Sequence, residues 1–188
     1  DAGGDLVIAS GKDMVAHDDR EKSKGFLSKG SISTQSYNET TVGSELGASG
    51  NVNLNTGNNV VIAGSKVTAG EAITVEGDSV SVIGAAEQHE RESESKKSGL
   101  GVGSGGGFLS LWGKEGKEKD YDATLNAGSS LSAGADVTLK ARESDVNVIG
   151  SDVEAGNDIA LDAARDVNIT PGAEAYASHE KEEKSGFG

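Results

Sequence analysis

Two runs decide the fold: Gly128-Ser129-Ser130-Leu131-Ser132-Ala133-Gly134-Ala135-Asp136-Val137-Thr138-Leu139, and Val146-Asn147-Val148-Ile149-Gly150-Ser151-Asp152-Val153-Glu154-Ala155-Gly156. Val137 and Leu139, like Val146 and Val148, stand two residues apart, which puts both side chains on one face of a strand. Working outward, Leu131, Val137, Leu139, Val146 and Val148 recur 21 or 22 residues later as Val153, Ile159, Leu161, Val167 and Ile169. An earlier stretch has the same form: Leu46, Val52, Leu54, Val60 and Ile62 recur at Val67, Ile73, Val75, Val80 and Val82 after 20 or 21 residues. Ala69-Gly70, Ala133-Gly134 and Ala155-Gly156 stand between the apolar pairs, and glycine there is expected to supply the positive φ of a tight corner.

A longer period encloses the short one. Gly43-Ser44-Glu45-Leu46 matches Gly128-Ser129-Ser130-Leu131, Gly64-Ser65-Lys66-Val67 matches Gly150-Ser151-Asp152-Val153, and Lys97-Ser98-Gly99-Leu100-Gly101 matches Lys184-Ser185-Gly186-Phe187-Gly188. The repeat is about 85 residues long. Leu6 and Ile8, followed by a charged run ending Lys24-Gly25-Phe26-Leu27, are an incomplete earlier copy.

Short strands of β-branched residues, glycine corners and coils of about 20 residues predict an all-β parallel β-helix with two coils per repeat, each coil stacked about 4.8 Å above the last. Asn51, Asn53, Asn55, Asn58 and Asn59 suit it, facing solvent or stacking as amide ladders between coils. A helical alternative fails, because residues 43–85 and 128–172 sustain no 3.6-residue apolar stripe and hold frequent Gly, Asn, Val and Thr. Composition agrees. Of 188 residues 28 are glycine, and Leu, Ile, Val and Phe together number only 38, too few for a conventional layered globule but enough for a thin solenoid core.

The chain divides into the end of a preceding coil (1–11), a polar arm (12–42), a coil pair (43–85), a second arm with an aromatic tip (86–127), a second coil pair (128–172) and the start of a third arm (173–188). The arms hold every aromatic residue and all three histidines, His17, His89 and His179. An insert of about 40 residues is too long for a structureless connection inside a compact fold. Runs such as Gln88–Ser95 and Lys117–Tyr121 are expected to form extra-helical β-hairpin arms.

The formal charge of −14, from 31 acidic and 17 basic residues, argues against nucleic acid as a partner and against simple capture by an anionic membrane. The absence of cysteine excludes thiol chemistry and cysteine zinc sites. Asp136, Asp145, Asp152, Asp158, Asp162 and Asp166 are scattered around the coils and form no calcium cage, and only Gly3-Gly4-Asp5 hints at a calcium-binding turn. Polysaccharide-cleaving β-helices use paired carboxylates. Here Asp136, Asp158 and Asp166 sit at repeated positions before Val137, Ile159 and Val167, and no nucleophile constellation or phosphate loop is present. No enzyme activity, cofactor, metal or small-molecule substrate is expected. The histidines differ in their offset from the following glycine, so they read as residues of a solvated face and not as a pH switch.

The unit pattern, written in Ser129 to Leu139, Val146 to Gly156 and Lys184 to Gly188, and again in Ser44 to Leu54 and Val60 to Gly70, resembles the haemagglutinin repeats of filamentous haemagglutinin and contact-dependent growth inhibition exoproteins. Ser49-Gly50-Asn51 replaces the usual Ala-Gly-Asp corner. The resemblance implies an internal piece of a very large exoprotein, exported through a two-partner secretion transporter and displayed outside the outer membrane of a bacterium. It further implies repeats that help move a C-terminal toxin across the outer membrane of a target cell. The alternative is the stalk of a filamentous adhesin.

The most suggestive feature is Gly105-Gly106-Gly107-Phe108-Leu109-Ser110-Leu111-Trp112-Gly113, with Gly25-Phe26-Leu27 in the earlier copy. Phe26, Leu27, Phe108, Leu109, Leu111 and Trp112 are the candidate contacts with the target outer membrane or with neighbouring repeats. Tryptophan and phenylalanine suit both membrane boundaries and protein interfaces.

Overall fold

The computed structural model describes residues 1–100 and 112–187, and these form strands with no helix among them. They divide into two units, a solenoid (1–13, 40–87 and 125–174) and a sheet built from the inserts (14–39, 88–124 and 175–188).

The solenoid has three parallel sheets. One consists of β1 (Leu6–Ala9), β6 (Asn59–Ala63), β9 (Ser79–Ile83), β14 (Val146–Ile149) and β17 (Val167–Thr170) in that order. The second runs β4 (Glu45–Ala48), β7 (Lys66–Ala69), β12 (Ser130–Ala133), β15 (Asp152–Ala155), and the third β5 (Val52–Asn55), β8 (Ile73–Gly77), β13 (Val137–Ala141), β16 (Ile159–Ala163). Each coil contributes one strand to each sheet, so the short sequence period is one turn of a three-sided β-helix.

The register turns that period into side-chain ladders. Leu46, Val67, Leu131 and Val153 are successive partners, as are Val52, Ile73, Val137 and Ile159, and also Leu6, Val60, Val80, Val146 and Val167. Lys66 pairs with Ser130 and Val80 with Val146, so the stacking continues in register across the long insert. Ile62, Val67, Ile73, Val75, Val80, Val82, Leu131, Val137, Leu139 and Val146 are fully buried. Alternation sends one residue in two inward, and a thin core of small branched side chains fills the interior.

Corner chemistry differs from the sequence expectation at one point. Among the described residues only Gly64, Gly99 and Gly150 have positive φ. Gly70, Gly134 and Gly156 do not, and their role is close approach. A Cβ at these positions would fall on the carbonyl oxygens of Ser49, Gly70 and Gly134 respectively, well inside van der Waals contact. Glycine is needed there because the neighbouring coil passes too near for a side chain. The positive-φ corner belongs to Gly64 and Gly150, at +54° and +55°.

Each of those glycines precedes a serine, and the serines form a ladder of one polarity. The backbone N–H of Ser44 donates to Ser65 Oγ (3.3 Å), that of Ser65 to Ser129 Oγ (3.2 Å), and that of Ser129 to Ser151 Oγ (3.1 Å). Asn51, Asn53, Asn55, Asn58 and Asn59 face solvent, with Asn51 Oδ1 accepting from the N–H of Ala72 (3.0 Å), and an amide-to-amide bond between coils occurs at a different pair, Asn168 donating to Asn147 (2.9 Å).

Candidate functional site

The insert strands are β2 (Gly11–Lys24), β3 (Ser28–Val42), β10 (Ala85–Gly99), β11 (Trp112–Ala127) and β18 (Ala175–Phe187). They form one sheet in the order β18, β11, β10, β3, β2. β3 and β10 pair antiparallel from Ser28 opposite Gly99 to Asn38 opposite His89, and β11 and β18 from Trp112 opposite Phe187 to Thr124 opposite Ala175. The returning strand of one insert thus pairs with the outgoing strand of the next. The two ladders share a register: Gly99 faces Ser28, and its repeat counterpart Gly186 faces Gly113.

Polar alternation holds these strands where an apolar core cannot. Along β11 and β18, Glu115 faces Lys184, Lys117 faces Glu182, Glu118 faces Lys181 and Lys119 faces Glu180, four opposite-charge pairs directly across the ladder. Lys117 reaches Glu182 at 3.2 Å and Lys119 reaches Glu180 at 3.0 Å. Hydrogen bonds from Lys184 and then Lys117 hold the Glu182 carboxyl down to about 2. Glu183 is held low by Lys181, and Lys181 and Lys117 are raised by Glu183 and Glu182. In the other ladder Tyr37 donates to Glu39 Oε1 (2.8 Å), which raises the phenol, and His89 Nδ1 lies 3.2 Å from Asn38 Oδ1.

The sequence-predicted contact residues gather toward one end of this sheet. Phe26 is 99% and Leu27 49% exposed in the link between β2 and β3, and the N–H of Leu100 donates to the Leu27 carbonyl (3.1 Å). Trp112, 47% exposed, begins β11 directly across from Phe187 at the end of β18. Sequence reasoning passed over Leu100 and Phe187. The signal for both was the Lys-Ser-Gly-apolar repeat already visible at Lys97 and Lys184. Phe108, Leu109 and Leu111 lie outside the described residues.

The histidines occupy unlike settings. His17 Nε2 lies 2.7 Å from Asp19 Oδ2, and His179 faces Asp120 across the β11·β18 ladder. Among the described residues Glu92, Glu118 and Asp120 form a group whose carboxylate oxygens lie within 4.8 Å of one another, the arrangement most able to hold a cation. No helix among the described residues is long and apolar enough to cross a membrane.

Comparison with known proteins agrees with the repeat structure. The chain is 30% identical over 98% of its length to the 16S rRNA endonuclease CdiA of Enterobacter cloacae subsp. cloacae, 25% identical over 91% to the tRNA nuclease CdiA of Yersinia mollaretii, and 26% identical over 79% to the Toxin CdiA of Yersinia pestis. It spans only 5%, 6% and 7% of those proteins. No solved structure matches. Residues 27–119 and 110–188 each match the hemagglutinin repeat family, which accounts for both the coil pairs and the inserts, and the chain belongs to that family.

Proposed function

We propose that this chain is a non-enzymatic repeat segment of a large exoprotein, secreted by the two-partner route and displayed on a bacterial surface. In this reading it supports delivery of a toxin across the outer membrane of a target cell during contact-dependent growth inhibition. The observation that carries it is the exposed apolar end of the insert sheet, Phe26 and Leu27 above all. A sheet otherwise coated with charge gains nothing from such residues in water. Phe26, Leu27, Phe108, Leu109, Leu111 and Trp112 are the proposed contacts with the target membrane or with neighbouring repeats. The similarity to CdiA toxins supports the delivery context.

A second reading, the stalk of a filamentous adhesin, is favoured by the coil register that continues across the insert, as a spacer requires. One experiment separates the two. The chain is floated with liposomes and outer-membrane vesicles while Trp112 fluorescence is followed with a quencher placed in the lipid. Binding with a blue shift and quenching, lost in F26S/L27S and in F108S/L111S, supports the delivery reading. No binding at any salt concentration leaves the repeats as a spacer. In the parent protein, deleting one repeat would abolish delivery under the first reading and shorten reach under the second.

A further inference from the structure

Among the described residues the insert sheet has two open edges, the outer sides of β2 and β18. The repeat makes the second of these informative. β18 is the counterpart of β10 one repeat later, as Lys184-Ser185-Gly186 is of Lys97-Ser98-Gly99, and β10 has a returning strand on each side, β3 on one and β11 on the other. β18 has β11 on one side and presents a row of backbone N–H and C=O groups on the other. Its register with β11 runs from Ala175 to Phe187 without a bulge, and every residue along it is exposed.

Charge keeps an open strand from pairing indiscriminately, and His179-Glu180-Lys181-Glu182-Glu183-Lys184 does so against most sequences. The same run admits one charge order. Glu115, Lys117, Glu118 and Lys119 of β11 stand opposite Lys184, Glu182, Lys181 and Glu180, and no like charges are opposed anywhere along this ladder. The ladder between β3 and β10 holds no such match, since Lys29, Arg91, Glu92, Glu94, Lys96 and Lys97 each face an uncharged residue. Toward β10 the relation is reversed: Glu118 and Asp120 crowd Glu92, with carboxylate oxygens within 4.8 Å of one another. Charge matching is therefore specific to the contact that β18 makes.

A side chain on an inner strand has a lateral neighbour on both sides of the same face, and β18 has room for the second. The side chains of Glu180, Lys181 and Glu183 are each more than half exposed although each already has an ion-pair partner. A carboxylate engaged by one lysine keeps lone pairs for another, as Glu182 does with Lys117 (3.2 Å) and Lys184 (2.7 Å).

We propose that the open edge of β18 is a docking site for the returning strand of a further haemagglutinin insert, an antiparallel strand with the acid and base order of β11, seated in the register that β11 itself uses. Such a strand repeats all four pairs, from Glu115 opposite Lys184 to Lys119 opposite Glu180. The site rests on the reading of the chain as one repeat segment among several and not on the membrane contact, so vesicle binding and strand docking fail independently.

The test adds a labelled peptide of the β11 sequence, Trp112 to Ala127, to the intact chain and follows fluorescence anisotropy. The peptide should bind. The peptide carrying E115K/K117E/E118K/K119E has the same composition and net charge, and it should bind about tenfold more weakly or worse, because every matched pair becomes a like pair. A peptide of β3, Ser28 to Val42, whose residues Gly30 to Ser36 are uncharged, should also bind more weakly than that of β11. Binding of the β11 peptide should fall with salt, which screens exposed pairs. Hydrogen exchange locates it: protection should rise along Ala175 to Phe187 and stay unchanged in β2 and in the resident β11.

Failure of the β11 peptide to bind overturns the site. If the charge-reversed peptide or the β3 peptide binds as tightly, the edge accepts any strand and recognition by charge order falls. Protection gained in β2, or lost from the resident β11, overturns the choice of edge. If the chain alone sediments as a dimer that the β11 peptide leaves intact, a second copy covers β18 and the assignment to a returning strand is overturned.

Discussion

The backbone N–H of Ser65 donates to Oγ of Ser129 across 3.2 Å although 64 residues of sequence separate them. Ser129 Oγ in turn lies 2.7 Å from the Ile83 carbonyl oxygen and 3.2 Å from that of Ile62, and the serine is 1% exposed. One hydroxyl thus satisfies buried backbone groups of two coils at the place where a 40-residue excursion rejoins the stack. Ser129→Ala leaves the buried Ser65 N–H without its acceptor, while the Ile83 carbonyl keeps the Gly64 N–H as a donor, and the expected cost is about 1–3 kcal/mol. Urea unfolding of the solenoid measures it; a loss near zero would mean that water or a backbone shift takes over the bond.

Glycine at the Ala-Gly corners is a matter of spacing between coils. Gly134→Ala would drive a Cβ into the Gly70 carbonyl oxygen, backbone against backbone, with no flexible side chain to yield. The expected destabilisation is about 3 kcal/mol or more. Gly116→Ala, in open space on the insert sheet, should stay within about 0.5 kcal/mol. Equal effects in a thermal melt would refute the close-approach account.

The core ladders grade from interior to end. Leu139 is fully buried between Val75 and Leu161, whereas Leu46 is 38% exposed and has only Val67 as a ladder neighbour. Leu139→Ala should cost about 2–5 kcal/mol and Leu46→Ala distinctly less. Denaturant midpoints of the two variants compare them directly.

Much of this was legible in the residues because a solenoid writes its geometry as period. Val52 and Leu54 recurring as Ile73 and Val75 fix both a strand face and a coil length, and the observed register pairs these very residues. The role of Gly134 was not legible, since sequence carries no distance to the next coil and positive φ and close approach both select glycine. The Gly-Ser doublets were visible, but that Ser65 and Ser129 bond each other depends on which coil follows which across the insert. For the inserts, the runs Gln88–Ser95 and Lys117–Tyr121 were read as partners. Their strands are neighbours in the sheet, yet each has a second partner as well, Arg91 lying opposite Ser36 and Lys119 opposite Glu180. Local sequence does not encode that choice; the complementary charges of β11 and β18 do, once the strands are laid antiparallel.

Charge complementarity should therefore set the β11·β18 register. Glu182→Lys places a lysine opposite Lys117 and beside Lys184, and faster amide exchange is expected along Lys114 to Tyr121. Adding Lys117→Glu restores an opposite-charge pair and should recover part of the protection. Hydrogen exchange followed by mass spectrometry resolves the two strands. If the double variant exchanges as fast as Glu182→Lys alone, the pair has no part in selecting the register.

The same ladder should respond to pH at both extremes, and the signs follow from which state holds the proton. Glu182 titrates near 2 in the folded sheet against an ordinary 4.5, so the unfolded strand binds protons more readily. Its contribution is present above pH 4.5 and is lost as pH falls toward 2. Glu183, held low by Lys181, acts in the same direction. Lys117 and Lys181 are raised above 10.5, so their contribution is complete below that value and disappears as pH rises through it. Amide exchange in β11 and β18, corrected for its intrinsic pH dependence, should therefore give a plateau of protection between about pH 4.5 and 10.5 that declines on either side. In Glu182→Gln the acid limb should flatten while the alkaline limb persists through Lys181 and Glu183. An unchanged acid limb in that variant would remove Glu182 from the account of how the inserts hold together.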